Sequence, residues 1–196
     1  ADKKQYCWNA NGHGFVDVES ALSYSCNLFF RKQSAKIIPE ELLYYYEKVG
    51  LSLSNNSYSG KIYDLLKTLP YKYRLAVGID PQLSFSPITA AQFAATLANG
   101  TYPAEIRSKD IVNNAMRKST LEGTGCLIGK HDFSAAVKTG TVPYERDKTH
   151  GWCIGYFPFK DPQYSFSVFI QNGTGFEDAI PVVLDLIKLC SNIGFF

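Results

Sequence analysis

The stretch 151–171 restricts the fold of this chain most. Gly151–Phe157 and Tyr164–Gln171 are two runs of β-branched and aromatic residues. Pro158, Lys160, Asp161 and Pro162 lie between them and read as a turn, so the two runs read as an antiparallel hairpin. Upstream, Ser134–Val142 reads as a third, short strand and carries Lys138-Thr139-Gly140-Thr141. Downstream, Ala179–Cys190 has the period of an amphipathic helix. Helices first, then an antiparallel sheet, then a helix packed on it make an α+β fold, a helical lobe plus a sheet with a packed C-terminal helix.

The helical lobe comes from the first two thirds. Apolar residues at Val18, Ala21, Leu22, Leu28 and Phe29 predict one helix from Val16 to about Lys36. A second helix is expected from Pro39 to Val49, where Pro39 suits the first turn and Gly50 the stop. Residues 50–86 read as a long loop region with one short helix around Tyr63–Thr68. Pro87–Asn99 reads as a helix with Thr89 as its cap and Gly100 as its end. Ile111–Glu122 reads as a weaker helix, followed by the turn Gly123-Thr124-Gly125.

The 196 residues suit a single domain, or part of one, and no internal repeat or linker divides them. Lys and Arg exceed Asp and Glu by only 2, which argues against nucleic acid as a partner. No run of about 18 uncharged apolar residues offers a transmembrane helix. The start, ADKK, lacks an apolar signal core, so either the protein is cytosolic or a targeting segment was removed before this sequence begins. The five cysteines, Cys7, Cys26, Cys126, Cys153 and Cys190, form no CxxC. None stands at metal-ligand spacing with His13, His131 or His150, so neither metal nor cofactor is expected, and the cysteines read as buried small hydrophobes.

Two short motifs carry chemistry: Ser25-Cys26-Asn27 in the first helix, and Lys138-Thr139-Gly140-Thr141 on the first strand. Each alone is weak, a polar helix surface or a strand end. Their order means more. S-x-N followed by K-T-G resembles the C-terminal part of a penicillin-binding protein transpeptidase domain, of the class without glycosyltransferase activity. The resemblance extends to Cys7-Trp8 with Gly12-His13-Gly14, to Ser25 through Phe30, to Ser86-Pro87-Ile88-Thr89 with Ala98-Asn99-Gly100, to Glu122-Gly123-Thr124-Gly125, and to His150-Gly151-Trp152 with Gly155-Tyr156-Phe157-Pro158. These segments stand in the family's order over nearly the whole chain.

The resemblance implies a serine acyl-transfer site acting on a D-Ala-D-Ala stem peptide of peptidoglycan, or on a β-lactam, outside the cytoplasm. Ser25 and Lys138 would form a proton-shuttling pair, and Asn27 would hold the substrate amide. Thr139 and Thr141 would bind the substrate carboxylate. Gly140 would leave room for the acyl chain along the strand edge, and the Thr141 N–H would be one oxyanion donor. The chain departs from the family at Ser86, where Thr is usual, and at Val137, where Gly is usual. A third departure decides more: no lysine here has a serine three positions before it, so the family's S-x-x-K nucleophile is not in this sequence. The chain alone is therefore expected to be inactive, either as a portion of an active transpeptidase or as an exported, non-catalytic module binding peptidoglycan peptide or a protein. Without the helix that bears S-x-x-K, apolar surface would be left for a partner chain or a second copy to cover.

Overall fold

The computed structural model describes residues 7–50, 52–53, 68–80, 83–102 and 106–194. They divide into two compact units, one drawn from 1–16 and 26–85, the other from 17–25 and 86–196.

In the first unit, α2 (Asn27–Ser34), α3 (Pro39–Lys48) and α4 (Leu69–Ala76) pack beside a short antiparallel ladder, β1 (Ser52–Leu53) with β2 (Leu83–Ser84). Its core is Tyr71 and Leu75, covered by Leu42, Leu43, Tyr46 and Leu83. The Tyr46 hydroxyl donates to the Leu75 carbonyl, and Lys72 Nζ donates to the Ile37 carbonyl at 3.1 Å, so α3 and α4 are tied by polar as well as apolar contacts. Helix α4 lies where the sequence predicted loop. Its core-facing Tyr71 and Leu75 are four positions apart, one helical turn, and tertiary burial outweighs a composition rich in turn-formers on either side. The short helix expected around Tyr63–Thr68 falls largely outside the described residues.

The second unit holds α1 (Val18–Ser23), α5 (Pro87–Ala98), α6 (Ile106–Glu122), the one-turn α7 (Cys126–Gly129), β3 (Ala136–Glu145), β4 (Lys148–Phe157), β5 (Tyr164–Ile170) and α8 (Ile180–Asn192). The sheet order is β3-β4-β5, antiparallel throughout, so β3 is an edge strand. Side chains alternate across it as a two-residue period requires. Val137, Cys153, Phe157 and Phe166 face α8 and bury against Ile180, Val183 and Ile187. Ala136 and Tyr156 face the other way, against Leu97 of α5 and Met116 of α6. The sheet thus lies between α8 and the α5–α6 pair.

Three expectations are corrected here. The helix predicted from Val16 to Lys36 is two helices: α1 ends at Tyr24, Ser25 turns left-handed at φ +53°, and α2 starts after an extended Cys26. Helix α5 is capped by Ser86, whose hydroxyl accepts from Thr89 N–H at 3.2 Å, and not by Thr89. Strand β3 continues past Val142 to Glu145, because a tight turn at Arg146-Asp147 pairs Glu145 with Lys148 and makes a second hairpin. Asp147 takes the left-handed conformation that this turn needs, φ +61°.

Candidate active site

Ser25 and Lys138 stand 113 positions apart in sequence and meet in space: Lys138 Nζ donates to Ser25 Oγ at 2.9 Å. Both belong to the second unit. Ser25 reaches this place because α1 stops one residue earlier. Its N–H still donates to the Leu22 carbonyl at 3.2 Å, and its left-handed backbone turns the side chain out of the helix line. Such a conformation is uncommon for serine and persists only where the surroundings hold it.

Lys138 sits on edge strand β3, opposite Ile154. Its Nζ also donates to the Thr139 carbonyl at 2.6 Å. The residue as a whole is partly buried, and its ammonium is held by these two hydrogen bonds. Burial pulls its pKa down to about 8, with the Cys153 thiol opposing that shift. Cys153 is itself fully buried, and burial pushes it up to about 12, so it stays a neutral thiol. Near neutral pH Lys138 therefore gives up a proton far more readily than an exposed lysine does.

The rest of the strand is arranged around this pair. Thr139 is buried and its hydroxyl bonds to the Thr124 hydroxyl at 2.7 Å. Thr141 is exposed, and its Oγ1 accepts from Gly175 N–H at 2.9 Å, which leaves its own proton free to point outward. Gly140 has open space except toward Trp152 Cβ, where a methyl would sit at an ordinary 3.5 Å. Gly175 fits only as glycine: a Cβ would lie 2.5 Å from the Gly140 carbonyl oxygen. Asn27, the remaining residue of the first motif, opens α2 in the first unit and is half-buried.

Two groups escaped the sequence reading. Thr124 lies in the turn the sequence marked and Gly175 opens a π-helical turn, and only the fold shows that they hold the two threonine hydroxyls. The second group is Cys7, His13 and Cys26, whose ligand-capable atoms lie within 4.8 Å of one another. The sequence spacing of these residues gave no metal-ligand pattern; the fold brings them together. Gly12 and Gly14 both have positive φ and fold the chain back, so that His13 Nδ1 lies 3.4 Å from Cys7 Sγ. Burial lowers the His13 pKa and raises that of the Cys26 thiol. The imidazole is thus neutral and able to ligate, while a cation would have to displace the thiol proton. The C-x5-H spacing with a distant second cysteine matches no standard pattern, and the glycines were the only local signal.

The sequence matches the family described as penicillin binding protein transpeptidase domain over residues 2–188. No curated protein matches it. Among solved structures, the complex of PBP2 with MreC from Helicobacter pylori is similar, with a TM-score of 0.83 and 17% identity, over 96% of this chain and 42% of that one. Pseudomonas aeruginosa PBP2 in complex with WCK 5153 gives 0.78 at 22% identity, over 92% and 48%. The transpeptidase domain of the FtsI4 D,D-transpeptidase from Legionella pneumophila gives 0.73 at 21% identity, over 88% and 68%. The chain therefore spans less than half the length of the two PBP2 chains, and at these identities the likeness speaks for the fold.

Proposed function

The chain belongs to the penicillin-binding protein transpeptidase family, and from that premise we propose that it is the C-terminal part of a bacterial serine-type D,D-transpeptidase acting on peptidoglycan stem peptides outside the cytoplasm. In this reading residues 1–196 form one incomplete transpeptidase domain. The observation that carries it is the hydrogen bond between Lys138 Nζ and Ser25 Oγ, on a lysine whose pKa is lowered to about 8.

The pair acts as a proton relay. When a serine nucleophile attacks the carbonyl of the penultimate D-alanine, the departing terminal D-alanine amine needs a proton. Ser25 passes one on and Lys138 replaces it, a transfer that is efficient because a lysine near 8 both gives and regains a proton close to neutral pH. Thr141 donates its outward hydroxyl to the substrate carboxylate, joined by Thr139 when its proton turns from Thr124. Gly140 and the free edge of β3 let the acyl chain lie alongside as an added strand. The Thr141 N–H stabilises the oxyanion.

The nucleophile itself is not among these residues. Ser25 stands beside the reacting carbonyl in this arrangement and not beneath it. A protein partner is supported by the Helicobacter pylori PBP2 structure, which is a complex with MreC. A partner chain or second copy would also cover the face against which the missing helix packs.

Incubation of the isolated chain with a fluorescent penicillin, followed by intact-mass spectrometry, tests the assignment. We expect no covalent adduct, because the sequence holds no S-x-x-K serine, and Ser25, bonded to Lys138, stands in this reading as a proton relay and not as the nucleophile. A stoichiometric adduct mapped to Ser25 or Cys26 would mean a relocated nucleophile and a different mechanism.

A further inference from the structure

The turn Glu122–Gly125 touches both sides of the Ser25–Lys138 pair. On one side, Gly123 lies against the end of α1, where a Cβ would come within 2.4 Å of the Ser23 carbonyl oxygen and 2.8 Å of Ser119 Cα. Thr124 N–H donates to the same Ser23 carbonyl at 3.4 Å, and the Tyr24 hydroxyl donates to Glu122 Oε1 at 2.9 Å. Lys118 joins the outer contact, 3.3 Å from Glu122 and 2.9 Å from the Ser20 hydroxyl. On the other side, the Thr124 hydroxyl bonds to Thr139, the residue whose carbonyl takes the second hydrogen bond of Lys138. A Cβ on Gly125 would meet the Val137 side chain at 2.5 Å, so the turn is also pressed onto β3. The Ser119 carbonyl accepts from Gly123 N–H at 3.1 Å and from Gly125 N–H at 3.0 Å, which fixes the turn to the last part of α6.

We propose that this turn is a brace that sets the separation of Ser25 from Lys138, with Gly123 and Thr124 as positioning residues. The proposal rests on the relay reading of that pair. Ser25 sits in a left-handed conformation that its own sequence does not favour, so its place must be imposed by neighbours. The neighbours that impose it are the two residues before it, and both are held by the turn. Gly123 does not have a left-handed φ. An alanine there would suffer no φ conflict, and its methyl would push hardest on the end of α1, at the Ser23 carbonyl, and also on α6 at Ser119 Cα. The obstructing atom is a backbone carbonyl, which cannot rotate away like a side chain. The helix end must retreat and Ser25 with it, opening a path for water to Lys138 Nζ.

The readout is the titration of Lys138, followed by NMR of its side chain in the 196-residue protein. Cys153 is the other titratable group acting on it, and it stays neutral over the range used. The wild type is expected to titrate at about 8. Gly123→Ala is expected to raise that value by about one pH unit or more, since the shift comes chiefly from exclusion of water. Tyr24→Phe carries no steric load and removes only the outer tie, so it should shift the titration the same way by less, and it serves if Gly123→Ala does not fold. Gly129→Ala is the control: its Cβ would lie 2.0 Å from the Thr120 carbonyl oxygen, so it should lower the melting temperature without moving Lys138. If the wild type titrates near 8 and neither Gly123→Ala nor Tyr24→Phe moves it, the brace is wrong and the relay reading stands. If wild-type Lys138 titrates in the ordinary lysine range, the relay reading fails and the brace falls with it.

Discussion

At the scale of residues, Lys138 carries a cost that its proposed role explains. Its folded pKa, about 8, lies below the ordinary 10.5. Below pH 8 the folded chain must hold a charge where burial disfavours it. Between pH 8 and 10.5 the unfolded chain keeps a proton that the folded chain has released, so stability rises with pH across that window, by roughly 3 kcal/mol in total from this group. Replacing Lys138 with methionine removes the penalty along with two hydrogen bonds worth about 1 kcal/mol each. Lys138→Met is therefore predicted to be more stable than the wild type at pH 7, by about 1 kcal/mol, and to lose the rise between pH 8 and 10.5. Urea unfolding at pH 7 and pH 10 checks both, and a variant less stable at pH 7 with an unchanged pH slope would contradict the burial of a charged Lys138. A site that lowers stability at working pH is what a stability–function trade-off looks like at one residue. The motif marked Lys138 in the sequence. Its pKa could not be read there, because burial depends on strands and helices far away in the chain.

At the scale of elements, what could be read depended on whether the signal was local. The strands were legible because β-branched and aromatic runs ended at Pro158 and Pro162, and β4 and β5 start or stop within three residues of the expected positions. Helix α8 was legible for the same reason, although its first expected residue, Ala179, ends a single π-helical turn, Gly175–Ala179. The break between α1 and α2 was not legible, since the apolar spacing from Val18 to Phe29 continues through Ser25. The contacts that stop α1 come from Gly123 and Thr124, about 100 positions later. Helix α5 offers a direct check on capping. Ser86→Ala removes the hydroxyl that accepts from Thr89 N–H and should cost about 1 kcal/mol, whereas Thr89→Ala should cost less, because its backbone N–H remains capped. Denaturant unfolding of the two variants decides between them, and a larger loss for Thr89→Ala would return the cap to the residue the sequence first suggested.

At the scale of the whole molecule, the order of helices and strand runs carried the α+β fold and the order of S-x-N before K-T-G carried the family, while the Ser25–Lys138 contact was available only as an implication of that motif order. The cluster of Cys7, His13 and Cys26 was invisible from spacing, because it is built by a fold-back at two glycines and by the N-cap residue of α2. The central claim is that Ser25 and Lys138 serve a nucleophile supplied by sequence preceding Cys7. The polypeptide translated from its own start codon, labelled with a fluorescent penicillin and mapped by peptide mass spectrometry, tests this most directly. The account predicts one adduct, on the serine of an S-x-x-K upstream of Ala1, and its slowing when Lys138 is replaced by methionine. A full-length product that takes no label and carries no such serine would contradict it and leave a non-catalytic binding module in its place.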